Sequence, residues 1–268
     1  MKKSFSWIYF VLIMAFLYIP ILLMIVYSFN GADGKIITKW NEFSFRNYID
    51  IFSQRGLGKA VLNSLAIGLL SSLGACVLGT LASLGINNLR KSRGLVMNIS
   101  NLPIINPEIV TGVSLSLVFA ALFGGTIGKG FHTVLLAHIV FNTPYVILSV
   151  LPRLRRMDKN LYEAALDLGC RPGQALWRVV MPELFPSILS GFLIAFTYSI
   201  DDFVITHYTA GDVFQTLSTL IYARSNKGPQ DWMLAMSGLI FIAVLLVLVV
   251  MNVHEIRLEK RESKNLSR

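Results

Sequence analysis

Three acidic residues lie inside stretches of the sequence that are otherwise apolar: Glu108, Asp201 and Asp202. A carboxylate at membrane depth is costly and usually faces a cavity or a pathway. These stretches contain no lysine or arginine that could pair with the three acids, so the acids favour a cationic ligand. The alternative is that one or more of them is solvated at an interface or caps a neighbouring helix.

The composition predicts that much of the chain lies in lipid. The chain is 54% hydrophobic with a mean hydropathy of +0.61, well above the values of soluble domains. Stretches of about 20 apolar residues are long enough to cross a bilayer as helices. Six such spans are predicted, at about 7–29, 61–86, 99–123, 132–151, 187–206 and 232–253. The sequence therefore predicts an all-α polytopic membrane protein with six transmembrane helices.

The distribution of basic residues predicts the orientation. With the N-terminus inside, the inner segments hold 16 Lys and Arg and the outer segments hold 8. This excess follows the positive-inside rule, and it assigns the net charge of +9 to a membrane surface rather than to nucleic acid. Segment 152–186 and the basic tail 254–268 are then cytoplasmic. The lack of an obvious targeting leader suits a bacterial inner membrane.

The polar stretch 161–186 is predicted to form a helix, a turn and a second helix. An apolar stripe is spaced at i, i+3, i+4 and i+7, and its members are Leu161, Ala164, Ala165 and Leu168. Gly169 stands where a helix C-cap is expected. The second helix is expected from Gln174 to about Val180, with Pro182 and Pro186 ending it. An amphipathic helix held at a membrane surface is suited to dock into a groove on a soluble partner.

The same stretch resembles the EAA loop of ABC-importer permeases. That signature is EAA, three residues, Gly, nine residues, Ile, one residue, Leu-Pro, and here Val179 and Met181 replace its Ile and Leu. The resemblance implies a coupling helix that sits in a cleft of an ATP-hydrolysing subunit. The residues expected to couple the two subunits are Glu163, Ala164, Ala165, Asp167, Leu168, Gly169 and Pro182.

Two further segments, PEIVTGVSL (107–115) and FTYSIDDFVITHYTAG (196–211), are similar to the spermidine/putrescine ABC-importer permease family, its second permease subunit in particular. The chain departs from the family pattern at Ala210, which separates Thr209 from Gly211. The resemblance covers nearly the whole chain and implies a type I ABC importer permease (MetI-like) fold.

The same resemblance implies a set of partners: a sister permease in a heterodimer, two ATPase subunits that bind ATP and Mg, and an extracytoplasmic polyamine-binding protein. A polyamine needs spaced carboxylates for its ammonium groups and aromatic surface for its stem. The expected pathway residues are therefore Asp201, Asp202, Glu108, Tyr198 and Phe203.

The residues also bear on other functions. The four histidines lack metal-site spacing, and the sequence has no Walker A loop, so no metal, cofactor or enzymatic activity is expected in this chain. An ABC importer for iron or an amino acid remains an alternative. A secondary transporter would leave the EAA-like loop without a role. A membrane aspartyl hydrolase is disfavoured because adjacent residues on a helix point about 100° apart.

Overall fold

The apolar stretches form helices in the computed structural model of the protein, which describes residues 2–31, 40–89, 94, 107–123, 128–211, 214–226 and 230–249, apart from residues 244, 247 and 248. We number the helices in chain order. They are α1 (Lys2–Tyr27), α2 (Arg46–Ser53), α3 (Leu57–Asn88), α4 (Glu108–Phe123), α5 (Phe131–Arg156), α6 (Lys159–Asp167), α7 (Pro172–Asp201), α8 (Val204–Ala210), α9 (Leu217–Ser225) and α10 (Asp231–Ala243).

Each long helix contains most of one predicted span. Helices α3, α5 and α7, together with Trp7–Tyr27 of α1, are long and apolar enough to cross a membrane. Helices α4 and α10 are apolar but shorter. Helix α4 lies within the third predicted span and α10 overlaps the sixth. Residues 99–106 and 250–253 of those spans are outside the described residues, as is the tail 254–268.

The chain divides into two compact units. Residues 1–58 and 221–268 form the terminal unit, and residues 59–220 form the central unit. Within the terminal unit, the Arg224 guanidinium donates to Oε1 of Gln54 at 2.8 Å and to the carbonyl of Arg55 at 2.6 Å. It also lies 5.2 Å from the centre of the Trp232 ring. Arg224 therefore links two segments of this unit that are far apart in sequence.

The core of the central unit forms where α5 packs against α7 and α3. Its buried side chains include Val146 and Val150 of α5, Leu184 of α7 and Ala75 of α3. Gly79 of α3 allows the close approach, because a Cβ there would lie 2.7 Å from the Val146 side chain. Small residues let helices approach one another in membrane proteins, and the second predicted span is rich in Gly, Ala and Ser.

The predicted helix and turn at 161–169 are confirmed. Helix α6 begins after Asp158, whose carboxylate accepts from the amide of Asn160 at 2.9 Å. Gly169 follows with φ of +86°, and the amides of Gly169 and Cys170 donate to the carbonyls of Leu166 and Ala165. These two bonds form a Schellman motif, in which glycine is favoured because other residues are strained at positive φ.

The predicted end of the second helix at Pro182 is wrong. Helix α7 begins at Pro172 and continues through both Pro182 and Pro186 as far as Asp201. A π-turn at Leu176–Val180 precedes Pro182, and the amide of Met181 donates to the carbonyl of Leu176. Such local widening lets membrane helices accommodate proline. The buried side chains of Val180 and Leu184 hold the helix on both sides of Pro182.

The prediction that the fifth span runs unbroken from 187 to 206 is also wrong. Helix α7 ends at Asp201, Asp202 is extended with ψ of 124°, and the separate short helix α8 begins at Val204. Only the last three residues of the predicted span, 204–206, therefore belong to a different helix.

The Schellman turn gives a first testable prediction. Gly169→Ala should destabilise the turn by about 1 kcal/mol, because alanine is strained at positive φ. Hydrogen exchange of the Gly169 and Cys170 amides should therefore accelerate about fivefold if it proceeds by local opening.

Gly173→Ala is the matched control for this substitution. Gly173 lies in the first turn of α7 with open space around its Cα, so alanine should leave the exchange unchanged. Equal exchange rates in the two variants would contradict a constrained Gly169.

Candidate functional site

The break between α7 and α8 is held by the carboxylate of Asp202. Oδ1 accepts from the amide of Ile205 at 3.1 Å, and Oδ2 accepts from the amide of Thr206 at 2.8 Å and from its hydroxyl at 2.9 Å. The first amides of a helix have no partner within the helix itself, so a carboxylate before them is stabilising. The Ser218 hydroxyl donates to the Asp202 carbonyl at 2.6 Å.

A buried histidine extends this arrangement into α5. Nε2 of His138 lies 2.9 Å from the Thr206 hydroxyl and 3.3 Å from Oδ2 of Asp202. Nδ1 lies 2.6 Å from the Ser199 hydroxyl, which is 3.0 Å from the Ser71 hydroxyl of α3. We call these five residues, Ser71, His138, Ser199, Asp202 and Thr206, the Asp202 network. It joins α3, α5, α7 and α8 through side chains that are all buried.

The hydrogen bonds of the network assign its protons. The Thr206 hydroxyl donates to Asp202, so it accepts from Nε2 of His138. In a neutral imidazole Nδ1 then accepts from the Ser199 hydroxyl. This order of Ser199, His138 and Asp202 is similar to a hydrolytic triad. The Ser199 hydroxyl is buried between α3 and α5, where it bonds to Ser71 and His138, so the arrangement links these helices at the break.

The other two predicted carboxylates are exposed. Asp201 lies at the last residue of α7, and Glu108 lies in the first turn of α4. Glu108 is within electrostatic range of both Asp201 and Asp202. Helices α4 and α8 also pack against each other, since a Cβ on Gly112 would lie 3.1 Å from the Tyr208 ring. The structure therefore brings the three predicted acids to one region and gives them different environments.

An aromatic surface lies beside these acids. Tyr198, one turn before Asp202, is partly exposed, and its ring lies 4.6 Å from that of Tyr145 on α5, tilted by 32°. Phe141 packs edge-on against both tyrosines. Phe203 instead stacks against His207 of α8 at 5.3 Å.

The sequence predicts Tyr198 as a pathway residue but not the Tyr145 beside it. Tyr145 lies about 50 residues earlier on another helix, and nothing in its own spacing distinguishes it. The histidines lack metal-site spacing in the sequence, and in the structure His138 is hydrogen-bonded to Ser199 and Thr206. No group of three or more potential metal ligands is found among the residues that the structure describes.

The second candidate site is the outward face of α6. Leu168 is 87% exposed although it is apolar, and Leu161 is half exposed. Glu163, Ala164 and Asp167 are exposed on the same short helix. We call these five residues the α6 surface. Three of the four residues in the predicted apolar stripe are on it, and the fourth, Ala165, is buried.

The inward face of α6 rests on the central core. Ala165 is buried, and Tyr162 packs against the cluster that contains Val150 and Leu184. Beside α6, Arg153 of α5 donates to Oε1 of Glu183 of α7 at 2.7 Å. Both of these side chains are partly exposed, and such pairs contribute about 0–1 kcal/mol. The α6 surface is thus a set of outward side chains on a fixed support.

Comparison with known proteins identifies the family. The profile of the family described as binding-protein-dependent transport system inner membrane component matches residues 75–261. The putrescine transport system permease protein PotI of Escherichia coli K12 is 34% identical over 259 residues, covering 94% of this chain and 91% of PotI. The spermidine/putrescine transport system permease protein PotC homolog of Mycoplasma pneumoniae is 30% identical, covering 95% of this chain and 93% of the homolog.

A solved structure supports the fold independently. A chain of a bacterial ABC transporter involved in the import of the acidic polysaccharide alginate superimposes with a TM-score of 0.72 at 18% identity, covering 96% of this chain and 95% of that chain. The predicted type I ABC importer permease fold is confirmed, and so is the prediction of a transport subunit rather than an enzyme. The chain belongs to the family of binding-protein-dependent transport system inner membrane components.

Proposed function

We propose that this chain is a permease subunit of an ATP-driven importer for polyamines, with spermidine and putrescine as its substrates. The observation that carries the proposal is the exposed Asp201 carboxylate beside Tyr198 and Tyr145, with Glu108 in electrostatic range. The names of the relatives PotI and PotC point to the same substrate class.

The chemistry of this region suits a flexible polycation. An ammonium group gains a Coulomb interaction from a carboxylate and a further attraction from the face of an aromatic ring. Asp201 and Glu108 are on different helices, so they can contact ammonium groups at different places along one substrate. The tilted ring pair of Tyr198 and Tyr145 offers apolar surface for the methylenes between those groups.

The two adjacent aspartates have different proposed roles. Asp202 is buried and accepts three hydrogen bonds across the break, so its carboxylate is already satisfied. Asp201 is exposed at the end of α7. Of the predicted pathway residues, we assign Asp201, Glu108 and Tyr198 to contact with substrate. Asp202 holds the helix ends that orient Asp201, and Phe203 packs on α8 beside His207.

The α6 surface is the proposed contact with the ATPase. Leu168 and Leu161 supply apolar contact area, and Glu163 and Asp167 supply charge around it. Gly169 fixes where the helix ends, Ala165 anchors it, and Pro182 lies on the rigid helix that follows. ATP binding closes the partner's domains and moves these helices, which favours one of the permease's two conformations over the other.

The proposed assembly follows from these two sites. The chain pairs with a sister permease, two ATPase subunits bind ATP and Mg on the cytoplasmic side, and an extracytoplasmic binding protein delivers the polyamine. The chain is placed in a bacterial inner membrane with both termini in the cytoplasm, as the excess of basic residues in segments 152–186 and 254–268 favours.

Asparagine substitutions should distinguish the proposed roles of the two aspartates. Asp201→Asn should raise the KM for labelled spermidine and putrescine at least about fivefold, because a Coulomb contribution of about 1–4 kcal/mol is lost. Its thermal stability should be unchanged. Asp202→Asn removes an acceptor of buried hydrogen bonds, which should cost about 1–3 kcal/mol and lower the thermal midpoint.

Both variants are compared at matched membrane levels, with Asp201→Glu as the charge-retaining control. Wild-type uptake by Asp201→Asn, with the Asp201→Glu control also normal, would reject contact between Asp201 and a cationic substrate. Loss of uptake in Asp202→Asn alone, at unchanged stability, would reverse the two assignments.

The coupling proposal is tested at Leu168. Leu168→Asp should insert and fold normally because the side chain is exposed, but it should lose an apolar contact of about 1.5–3 kcal/mol with the ATPase. The measurement is ATP hydrolysis stimulated by substrate-loaded binding protein in proteoliposomes, where stimulation should fall at least about tenfold.

Leu168→Met is the matched control, since it keeps an apolar side chain of similar size, and it should retain most of the stimulation. Glu163→Lys should behave like Leu168→Asp. Full stimulation in both disruptive variants would reject this surface as the ATPase contact.

A further inference from the structure

Helix α2 in the terminal unit has three different faces. Asn47 and Ile51, four residues apart, are buried. Arg46 and Asp50 form an exposed polar stripe, with Nε of Arg46 3.8 Å from Oδ2 of Asp50. The third face is apolar and exposed, and its members follow the spacing i, i+4, i+7. They are Phe45, Ile49 and Phe52, which are 58%, 68% and 91% exposed.

Hydrogen bonds fix this exposed face in place. Nδ2 of Asn47 donates to the carbonyl of Ser28 at 2.9 Å and to that of Asn30 at 3.0 Å. The Tyr48 and Ser28 hydroxyls are 2.7 Å apart. Ser28 and Asn30 directly follow α1, so α2 is attached to the end of the first span. A helix held by a buried asparagine cannot rotate to hide its apolar stripe.

Aromatic side chains extend the apolar face toward α1. Phe43 stacks on Phe29 at 5.3 Å and packs edge-on against Phe45 at 5.2 Å. The Trp40 ring lies edge-on to the ring of Tyr27, the last residue of α1, with 6.3 Å between the ring centres. Tryptophan and tyrosine are enriched where a membrane meets water, because their rings are apolar and their polar atoms remain hydrated.

We propose that α2 is an interfacial helix whose Phe45, Ile49 and Phe52 face is seated in the membrane, among lipid acyl chains just below the headgroups. The occupant is lipid rather than protein because this face continues the surface of α1. From Trp7 to Tyr27 no residue of α1 is buried, and large apolar side chains cover that span. A helix with an apolar face and a charged face lies in the interface plane.

The polar stripe agrees with this position. Arg46 and Asp50 lie on a different face of α2 from Phe52, where they can reach headgroups and water. The proposal depends on the membrane location of the chain and not on its substrate. In the orientation proposed above, the helix lies on the extracytoplasmic leaflet.

Spin labelling of the assembled transporter in phospholipid nanodiscs tests the proposal. Cys76→Ala and Cys170→Ser remove both native thiols, and a nitroxide is then placed at Phe52→Cys or, as the matched control, at Ser53→Cys. Phe52 and Ser53 are both exposed neighbours on the same helix, so labelling either position preserves the fold. Oxygen collides with a label in lipid, and a water-soluble nickel chelate collides with a label in water.

The ratio of oxygen to nickel accessibility should be several-fold higher at position 52 than at position 53, and a label at Ile49→Cys should follow position 52. Equal, water-like ratios at the three positions would overturn the proposal. Protection of positions 49 and 52 from both reagents would also overturn it, because a protein partner would then cover the face.

Discussion

Ending one helix and starting another inside an apolar bundle leaves backbone amides without partners, and the carboxylate of Asp202 resolves this problem. It accepts from two amides and one hydroxyl of α8. Each buried amide left unpaired would cost about 1–3 kcal/mol. The carboxylate is itself buried, and its contact with His138 of α5 connects it to Ser199 of α7 and Ser71 of α3. The direction in which α7 ends, and so the position of Asp201, depends on this network.

The different roles proposed for the two adjacent aspartates follow from helix geometry. Asp201 is the last residue of α7 and points to a different side from Asp202, which is already extended. One side chain can therefore be buried and bonded while its neighbour remains free to meet a cation. The α6 helix divides its residues in the same way, with Ala165 anchored in the core and Leu168 facing outward. In both places a buried residue fixes the direction of an exposed one.

Hydropathy and local rules predicted a large part of this structure. The apolar spans follow from lipid as solvent, and the end of α6 follows from Gly169, the residue type that adopts positive φ without strain. The prediction that Pro182 ends a helix is wrong because local rules take no account of the buried packing of Val180 and Leu184. They also omit the π-turn that accommodates the proline. The break at Asp202 was missed although an Asp before a helix is a local capping signal, which the amides of Ile205 and Thr206 satisfy. Its further partners, His138 and Ser218, come from elsewhere in the chain. Tyr145 and Tyr198 likewise lie far apart in the sequence and come together only in the folded chain.

The proposed roles of the two aspartates require that the Asp202 network presents Asp201, and not Asp202, to a polyamine. This requirement can be tested with an electron cryo-microscopy map of the assembled transporter, trapped with spermidine in the membrane domain. We expect an ammonium group within hydrogen-bonding distance of the Asp201 carboxylate, with a methylene segment on the Tyr198 ring. In that map the Asp202 carboxylate should still accept from the amides of Ile205 and Thr206. Spermidine bonded to Asp202, with the bonds to Ile205 and Thr206 broken, would show that the two roles are assigned wrongly.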